Sequence, residues 1–410
     1  MMSMDLQRYD DARLPFFTAE LPGIGGEFKQ HNDDFVVEEL PLYLFSGRGE
    51  HVLFEVEKEG LTTFAANQSI ARAMGREQRE IGFAGLKDAH GITRQWLSLD
   101  KTDIDRIRRL RLPRLRVLST TRHTNKLKLG HLRGNRFVLK IRGVHRDAAA
   151  RAEAILEVLV RRGCPNYFGP QRFGARGDNA LIGLAFLEKR YPDALALILG
   201  RPDEHDHGPV RKARELFDQG EIGRACATWP SSFQEQVRLG RALLKSKNNH
   251  RRALETLDKS LSRLFVSAVQ SEYFNQALAR RIQEIDHLLE GDVAWNHQSN
   301  ACFPVEQLDQ EQIRCRNKEI SPTGPLFGRR MMQPSGAAAK IEVRCPEALR
   351  SLDGERRSLR VVLSSAQVNS GKDQHGGFLQ VLFDLPAGAY ATSVLRELCR
   401  EQQPRVRKAR

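Results

Sequence analysis

The chain has no long hydrophobic run. None of its 410 residues belongs to an apolar stretch of about 18 residues, the length that a membrane-spanning helix needs. The N-terminal segment MMSMDLQRYDDARLP is polar and acidic, whereas a secretory signal needs a basic start followed by an apolar core. We therefore expect a cytoplasmic protein that has no membrane partner.

Cysteines are few and widely spaced. The six cysteines include no C-x-x-C pair, which argues against a zinc site and against a disulfide scaffold. Buried, inert thiols are the simpler interpretation. The run DEHDH at 203–207 offers possible metal ligands, but Gly and Pro residues bound it between predicted helices. This position favours a solvated surface loop over a metal site.

The common nucleotide-binding and hydrolase motifs are missing as well. The sequence contains neither G-x-x-x-x-G-K-[ST] nor G-x-S-x-G. LPGIGGEF does not open a helix after a strand, as a dinucleotide-binding loop would. These gaps argue against a P-loop enzyme, a dinucleotide-dependent enzyme and a serine hydrolase.

Positive charge is what the chain has in excess. It carries 65 Lys and Arg against 51 Asp and Glu, a formal net charge of +14. The basic residues cluster at 105–118, 126–142 and 354–360, and the last residues are PRVRKAR. Solubility alone tolerates such an excess, but it favours a polyanionic partner, most commonly nucleic acid.

The first part of the chain mixes strand and helix patterns. Helices are predicted by LTTFAANQSIARAMG, ended by Gly75, and by DAAARAEAILEVLVRRG, ended by Gly163. Alternation in RFVLKIRG predicts a strand with one buried face and one basic face. Strands are also predicted at 33–40, 51–58, 81–86 and 92–99.

From about residue 178 the periodicity is helical, and strand-like alternation returns only near 358–364 and 377–386. We predict an α+β fold in which a sheet domain, the catalytic domain if the chain is an enzyme, is split into residues 1–165 and 345–410. A mostly helical insertion, residues 166–344, separates the two parts. Both parts are needed because a C-terminal piece of about 65 residues is small to fold alone.

Asp88 lies in a short polar loop, KDAHG, between two predicted strands. Beside Lys87 its carboxylate is expected to be ionised at neutral pH, where it can act as a nucleophile, a general base or a salt-bridge partner. From this loop alone, a turn Asp next to a Lys is the simpler interpretation.

The wider sequence resembles the tRNA pseudouridine synthase D (TruD) family. GLKDAHGITRQ, at 85–95, matches the nucleophile motif G-x-K-D-x-x-x-x-T-x-Q. Further family blocks, one before this motif and the others after it, occur in the expected order and span residues 33–397. They are DDFVVEE, GNRF, PNYFGPQRFG, SAVQSEYFNQALARR, PTGPLFG and LPAGAYATSVLRE.

The resemblance implies isomerisation of a tRNA uridine, typically uridine 13, to pseudouridine without a cofactor or metal. Asp88 falls on the catalytic Asp of the family and would attack either ribose C1′ or base C6. The implied fold is a pseudouridine synthase domain, an antiparallel sheet with flanking helices assembled from both chain ends. The implied partner is tRNA, and we expect a monomer.

The resemblance also implies a substrate pocket. Phe35, Asn135 and Phe383 fall on pocket positions, and Phe137 and Lys29 are expected nearby; core packing is the alternative for each Phe. Arg356 and Arg357 are candidates for binding phosphate or pairing with Asp88, with solvation at the surface as the alternative. Two other functions stay open: a non-catalytic tRNA-binding or chaperone protein with the same fold, and a nucleic-acid N-glycosidase.

Overall fold

The computed structural model describes residues 6–87, 89, 91–342 and 344–400. They form two compact units. The sheet unit takes its described residues from 16–164 and 361–400, and the helical unit from 6–15 and 165–360. Each unit is therefore assembled from segments that are distant in the sequence.

The described residues contain strands and helices that we number in chain order. The strands are β1 Gly25–Phe28, β2 Phe35–Pro41, β3 His51–Glu59, β4 Gly82–Phe83, β5 Ile92–Asp100, β6 Leu115–His123, β7 Leu132–Val144, β8 Cys164–Pro165, β9 Val293–Asn296, β10 Ala301–Pro304, β11 Ile320–Leu326, β12 Glu355–Ser358, β13 Arg360–Val361, β14 Ser364–Asp373 and β15 Gly376–Pro386. The helices are α1 Thr63–Met74, α2 Ile104–Arg108, α3 Ala148–Arg162, α4 Pro170–Phe173, α5 Asn179–Leu187, α6 Tyr191–Leu199, α7 Gly208–Asp218, α8 Ile222–Thr228, α9 Gln234–Lys245, α10 His250–Leu254, α11 Lys259–Arg280, α12 Leu308–Arg316, α13 Gly336–Ile341 and α14 Ala391–Cys399.

A large sheet organises the sheet unit. Its strand order is β14-β15-β7-β2-β5-β3-β6, with β1 added to β7 and β4 added to β5. Neighbouring strands are antiparallel except β2 and β5, which are parallel. The predicted α+β fold with a mainly antiparallel sheet is confirmed, and β7 joins the N-terminal strand β2 to the C-terminal strand β15.

The register of β7 follows from its alternating sequence. Phe137, Leu139 and Ile141 are buried, as a strand with one apolar face requires. The predicted basic face is present in the sequence pattern, but its charges are neutralised. Arg136 pairs with Asp384, Lys140 pairs with Asp33 and Asp373, and Arg142 pairs with Asp34 and Asp373.

Helix α1 covers one face of the sheet, as its pattern predicts. Thr62 caps its N-terminus by accepting a hydrogen bond from the Ala65 N–H at 3.1 Å, and Gly75 ends it with a φ of 65°. Ile70 and Met74 are buried in a core that includes Phe54. Burying each such side chain stabilises the unit by about 1.5–3 kcal/mol.

The helical unit also contains a small sheet. Helices α5, α6, α9, α10 and α11 contribute to one apolar core, and strands in the order β10-β9-β11-β12 form the sheet. The sequence pattern did not predict β9, β10 or β11. Strand β11 is buried along nearly its whole length and contains Pro and Gly, so it shows neither alternation nor typical strand residues.

Two predicted strands are shorter than expected. Of 81–86, only Gly82–Phe83 pairs with β5, and beyond it the Ala84 carbonyl accepts the Gly130 N–H at 2.9 Å. The segment 358–364 is divided among the ends of β12 and β14 and the short β13. Apolar content alone did not reveal these interruptions.

The DEHDH run is a loop in which Glu204, His205 and His207 are exposed, as predicted, but its aspartates are paired. Asp206 is only 3% exposed, and its carboxylate lies 3.0 Å from Nε of Arg214. Asp203 pairs with Arg8 and Arg176. The aspartates of this run therefore form a structural ion-pair network with arginines.

None of the helices in the described part of the chain is long and apolar enough to cross a membrane.

Candidate active site around the 88–90 loop

Asp88 itself lies outside the described residues, as does His90. The described residues on either side of this loop, Lys87 and Gly91, fix where it leaves and rejoins the sheet unit. Both are held by residues of β2. The geometry of the candidate site is therefore read from these two anchors and from the neighbouring strands.

Lys87 is anchored by a buried ion pair. Its Nζ lies 2.8 Å from Oε2 of Glu39, and the two residues are only 7% and 6% exposed. The other oxygen of Glu39, Oε1, accepts the Trp96 N–H at 3.1 Å. Burial raises the pKa of the Glu39 carboxyl, while the Lys87 ammonium and the Trp96 N–H oppose that rise. The Lys87 ammonium thus binds a buried acid on β2.

The backbone of Lys87 is anchored as well. Its N–H donates to Oγ1 of Thr63 at 2.8 Å, and that hydroxyl donates to Oε1 of Gln95 at 2.9 Å. Thr63 begins α1 and Gln95 lies on β5, so the residue before Asp88 is held by a helix and by two strands.

Gly91 is the last residue of the loop, and its backbone lies close to Phe35, the first residue of β2. The φ of Gly91 is 115°, a conformation that residues with a side chain rarely adopt. A Cβ at this position would overlap the carbonyl oxygen of Phe35. The Gly91 carbonyl accepts the Gly60 N–H at 3.2 Å. The close approach of backbone to backbone therefore requires glycine here.

The four predicted pocket residues other than Asn135 form one row. Nζ of Lys29 lies 3.9 Å from the centre of the Phe35 ring. The ring centres of Phe35 and Phe137 are 6.3 Å apart, and those of Phe137 and Phe383 are 5.5 Å apart. The three rings are buried, Phe383 completely. In this structure they pack on one another beneath the sheet surface.

Asn135 shares that face with Glu39, its cross-strand partner on β2. Its Oδ1 is buried and accepts no hydrogen bond from any described residue. Oγ1 of Thr93 and Nε2 of Gln95, both on β5, are buried and equally unsatisfied within the described chain. Such groups cost about 1–3 kcal/mol each when left without a partner, so their occurrence on β7 and β5, the two strands that flank β2, indicates a place for a polar ligand or loop.

Two further residues are placed elsewhere than expected. Arg356 is in the helical unit, where its guanidinium binds Glu342 and Thr323. Arg357 binds Oδ1 of Asn166 at 2.5 Å and lies over the Phe168 ring at 4.2 Å. Both arginines have structural partners inside their own unit, which corrects the expectation that they would be available to phosphate.

The sequence analysis missed Glu39, although a signal was present. In FVVEELP, the alternation that buries Phe35 and Val37 places Glu39 on the same buried face. A carboxylate on the apolar face of a strand requires a partner, which is Lys87.

Comparisons with known proteins agree with one another. A family model described as tRNA pseudouridine synthase D (TruD) matches residues 13–398. The chain is 43% identical over 402 residues to tRNA pseudouridine synthase D of Geobacter metallireducens, covering 95% of this chain and 98% of that protein. It is 42% identical to the Geobacter sulfurreducens protein of the same name, with 95% and 97% covered.

A solved structure has the same fold. The crystal structure of a candidate tRNA pseudouridine synthase D from Methanosarcina mazei superposes with a TM-score of 0.82 at 25% identity, covering 95% of this chain and 97% of that chain. Family model, sequence identity and fold agree over nearly the whole chain. The chain therefore belongs to the tRNA pseudouridine synthase D family, whose members are isomerases.

Proposed function

We propose that this chain converts a uridine of tRNA, uridine 13, to pseudouridine, with Asp88 as the nucleophile. The observation that best supports the proposal is the buried, unsatisfied Oδ1 of Asn135, which lies on the strand next to the anchors of the Asp88 loop. The choice of uridine 13 and the role of Asp88 come from the resemblance to the family motif.

The unsatisfied groups match the polar edge of uracil. Uracil offers one N–H donor between two carbonyl acceptors, and Oδ1 of Asn135 can accept from that donor. Nε2 of Gln95 is a donor that a carbonyl can use. A site with unpaired buried polar groups binds a ligand that pairs them much more tightly than an analogue that cannot. We infer that Asn135 recognises the uracil base.

The chemistry requires one carboxylate. Asp88 attacks ribose C1′ and displaces the base at N1, or it adds to base C6. On the first route the base rotates and C5 bonds to C1′ while the Asp88–C1′ bond breaks; on the second the N1–C1′ bond breaks, C5 bonds to C1′ after rotation and the Asp88–C6 bond breaks by elimination. In both cases the C5 proton leaves and N1 gains a proton, so the carboxylate is regenerated and the RNA keeps its mass. The fixed positions of Lys87 and Gly91 support this role because they restrict where the intervening carboxylate can reach.

The row of aromatic rings supports the base-binding surface. Phe35, Phe137 and Phe383 give the sheet an apolar layer next to Asn135, and Lys29 adds a cation over the Phe35 ring. The rings are buried, so they hold the sheet beside Asn135 and do not themselves stack on the base. A target base must leave its stack to react, and a hydrogen bond to Asn135 offsets part of that cost. We propose that the sheet unit is the catalytic domain and the helical unit the family's insertion domain.

An Asp88→Asn variant tests the proposal. The amide keeps the size of the carboxylate and removes its nucleophilic charge, so conversion should be lost while tRNA binding survives. Carbodiimide-adduct mapping of tRNA incubated with each protein reports the modified position. Asp309→Asn, at an exposed Asp in the first turn of α12, is the matched control and should convert normally.

Three results would contradict the proposal. Undiminished conversion by Asp88→Asn would remove Asp88 as the nucleophile. An adduct at another nucleotide would replace uridine 13 as the target. Release of a free base would indicate an N-glycosidase instead of an isomerase.

A further inference from the structure

Four leucines of the sheet unit expose most of their side chains to water. Leu44 is 96% exposed, Leu129 67%, Leu86 58% and Leu42 53%. We call these four residues the leucine rim. Single exposed leucines are common, but large apolar side chains on adjoining segments mark a surface that contacts a partner.

The segments that carry the rim are joined by hydrogen bonds. The Tyr43 hydroxyl lies 2.9 Å from Nδ1 of His131, which joins the segment of Leu42 and Leu44 to that of Leu129. The Gly130 N–H donates to the Ala84 carbonyl at 2.9 Å, which joins Leu129 to the segment of Leu86. The rim is therefore one surface built from three stretches of chain.

Leu44 is exposed although both of its neighbours are anchored. The Tyr43 ring stacks on His123 with ring centres 5.2 Å apart, and the Phe45 ring contacts Trp96 at 4.6 Å. The backbone on each side of Leu44 is thus held by aromatic packing. An apolar side chain held out into water by fixed neighbours is prepared for contact with another molecule.

The rim is continuous with the candidate active site. Leu86 directly precedes Lys87, whose ammonium is fixed by Glu39. The segment of Leu129 leads into β7, which carries Asn135. The segments that carry Leu86 and Leu129 therefore both lead into the proposed base-binding site.

The charge around the rim favours RNA as the partner. Segments 42–49 and 124–132 contain Arg48, Lys126 and Lys128 and no Asp or Glu. Within the described chain these three cations form no ion pair; Nζ of Lys126 donates to the Arg79 carbonyl. Cations that surround apolar side chains match phosphates that surround stacked bases.

We propose that the leucine rim enters the base stack of tRNA and fills the gap left when the target uridine moves into the site. Leu44 and Leu129 contact the bases on either side of that gap, and Arg48, Lys126 and Lys128 bind the adjoining phosphates. Apolar side chains that insert between bases stabilise unstacked nucleic acid in this way. The inference rests on the proposed function, since it assumes that a uridine leaves its stack.

The test compares the double variant Leu44→Ala/Leu129→Ala with wild type and with Ile313→Ala. Ile313 is a 59% exposed residue of α12 and serves as the matched control. The two rim side chains are exposed, so their removal should leave the fold intact, which thermal unfolding verifies. One substrate is a tRNA carrying 2-aminopurine next to the converted uridine, whose fluorescence rises on unstacking. A second substrate holds the same uridine in a bulge, already unstacked.

We expect wild type and Ile313→Ala to raise the fluorescence on binding, and the double variant to raise it far less. Under single turnover, the double variant should convert the folded tRNA about ten-fold more slowly and the bulged substrate at nearly the normal rate. Equal loss on both substrates, or no loss on either, would overturn the proposal. A wild type that raises the fluorescence without forming pseudouridine would contradict the proposed function and leave the rim proposal supported.

Discussion

At the scale of single residues, the candidate site is defined by polar atoms that lack partners. Oδ1 of Asn135 is buried and unsatisfied by any described residue, whereas the amide of Asn166 donates to the Ser358 carbonyl and accepts from Arg357. The first arrangement costs stability, and the second contributes to it. The two asparagines should therefore respond differently to the same substitution.

Asn135→Ala should lower kcat/KM for tRNA by about 10- to 100-fold, because one hydrogen bond to the base contributes ~1–3 kcal/mol. The free energy of unfolding should change by less than about 1 kcal/mol, since no bond within the described protein is lost. Conversion kinetics and urea unfolding measure the two effects. Asn166→Ala is the control and should lose about 1–3 kcal/mol of stability. A destabilised but fully active Asn135→Ala would instead make Asn135 a core residue.

The sequence led to Asp88 and to the pocket residues through the order of family blocks, which depends on residue identity alone. The sequence did not predict which residues these side chains contact. The Glu39–Lys87 pair joins positions 48 residues apart, and only the strand register brings them together. Likewise, the buried state of Phe383 depends on its pairing with Phe137 across β15 and β7.

At the scale of elements, the short loop between β4 and β5 depends on strand β2. Lys87 is bound by Glu39 near the end of β2, and Gly91 contacts Phe35 at its start. Removing one member of a buried ion pair leaves the other charge unpaired and costs about 3–5 kcal/mol. Lys87→Met should therefore be strongly destabilised.

The double variant Lys87→Met/Glu39→Gln should recover most of that stability, because no unpaired buried charge remains. It should still convert tRNA at least about tenfold more slowly, since the residue before Asp88 has lost its anchor and a small misplacement at a reacting group is costly. Urea unfolding and single-turnover conversion provide the two measurements. Full recovery of both stability and conversion would show that the pair does not position the loop.

Gly91 provides a second test of the loop, with Gly376 as a matched control. Their φ values are 115° and 113°, but a Cβ would overlap the Phe35 carbonyl oxygen at Gly91 and would meet nothing within 4 Å at Gly376. Gly376→Ala should cost about 1–3 kcal/mol from backbone strain alone and leave conversion unchanged. Gly91→Ala should cost more and also slow conversion. If Gly91→Ala and Gly376→Ala had the same effects on stability and on conversion, the close contact between Gly91 and Phe35 would have no role.

Helices could be predicted more accurately than strands, for a physical reason. The bounds of α1 follow from the Thr62 cap and from Gly75, which are local in sequence, and α3 ends as predicted at Gly163, with a φ of 95°. Strand ends depend on partners far along the chain. The predicted strand at 81–86 is reduced to two residues because only Gly82 and Phe83 have partners on β5.

At the scale of the whole molecule, the net charge of +14 agrees with the tRNA in the name of the family but does not locate a binding surface. Arg136, Lys140 and Arg142 of β7 are paired with Asp33, Asp34, Asp373 and Asp384. Arg48, Lys126 and Lys128 instead lie on the segments that carry the leucine rim and form no ion pair with any described residue. Sequence density of Lys and Arg therefore does not locate the surface that attracts RNA, because tertiary pairing decides which charges remain.

The two units should also differ in how acid affects them. In the sheet unit, hydrogen bonds from Arg142 and Lys140 hold the pKa of Asp373 far below its ordinary value. A carboxylate with a depressed pKa contributes stability that is present above its unfolded pKa, near ~3.9, and that is lost only as the pH falls further. This ion-paired group should therefore keep its contribution down to about pH 4.

The helical unit contains a group that responds at a higher pH. Burial, with a smaller effect from Arg360, lowers the pKa of His297 from 6.5 to about 4, and its Nε2 lies 2.8 Å from Oγ of Ser321. Between these values the unfolded chain binds a proton that the folded chain excludes, so stability falls as the pH falls from 6.5 toward 4. We expect the free energy of unfolding to fall by about 2 kcal/mol, less than the full pKa shift implies because water reaches part of the ring.

Hydrogen exchange of each unit across this pH range measures the loss, and His297→Gln is the control. The wild type should lose protection in the helical unit relative to His297→Gln as the pH falls, and parallel behaviour of the two proteins would mean that His297 is protonated as readily in the folded chain as in the unfolded one.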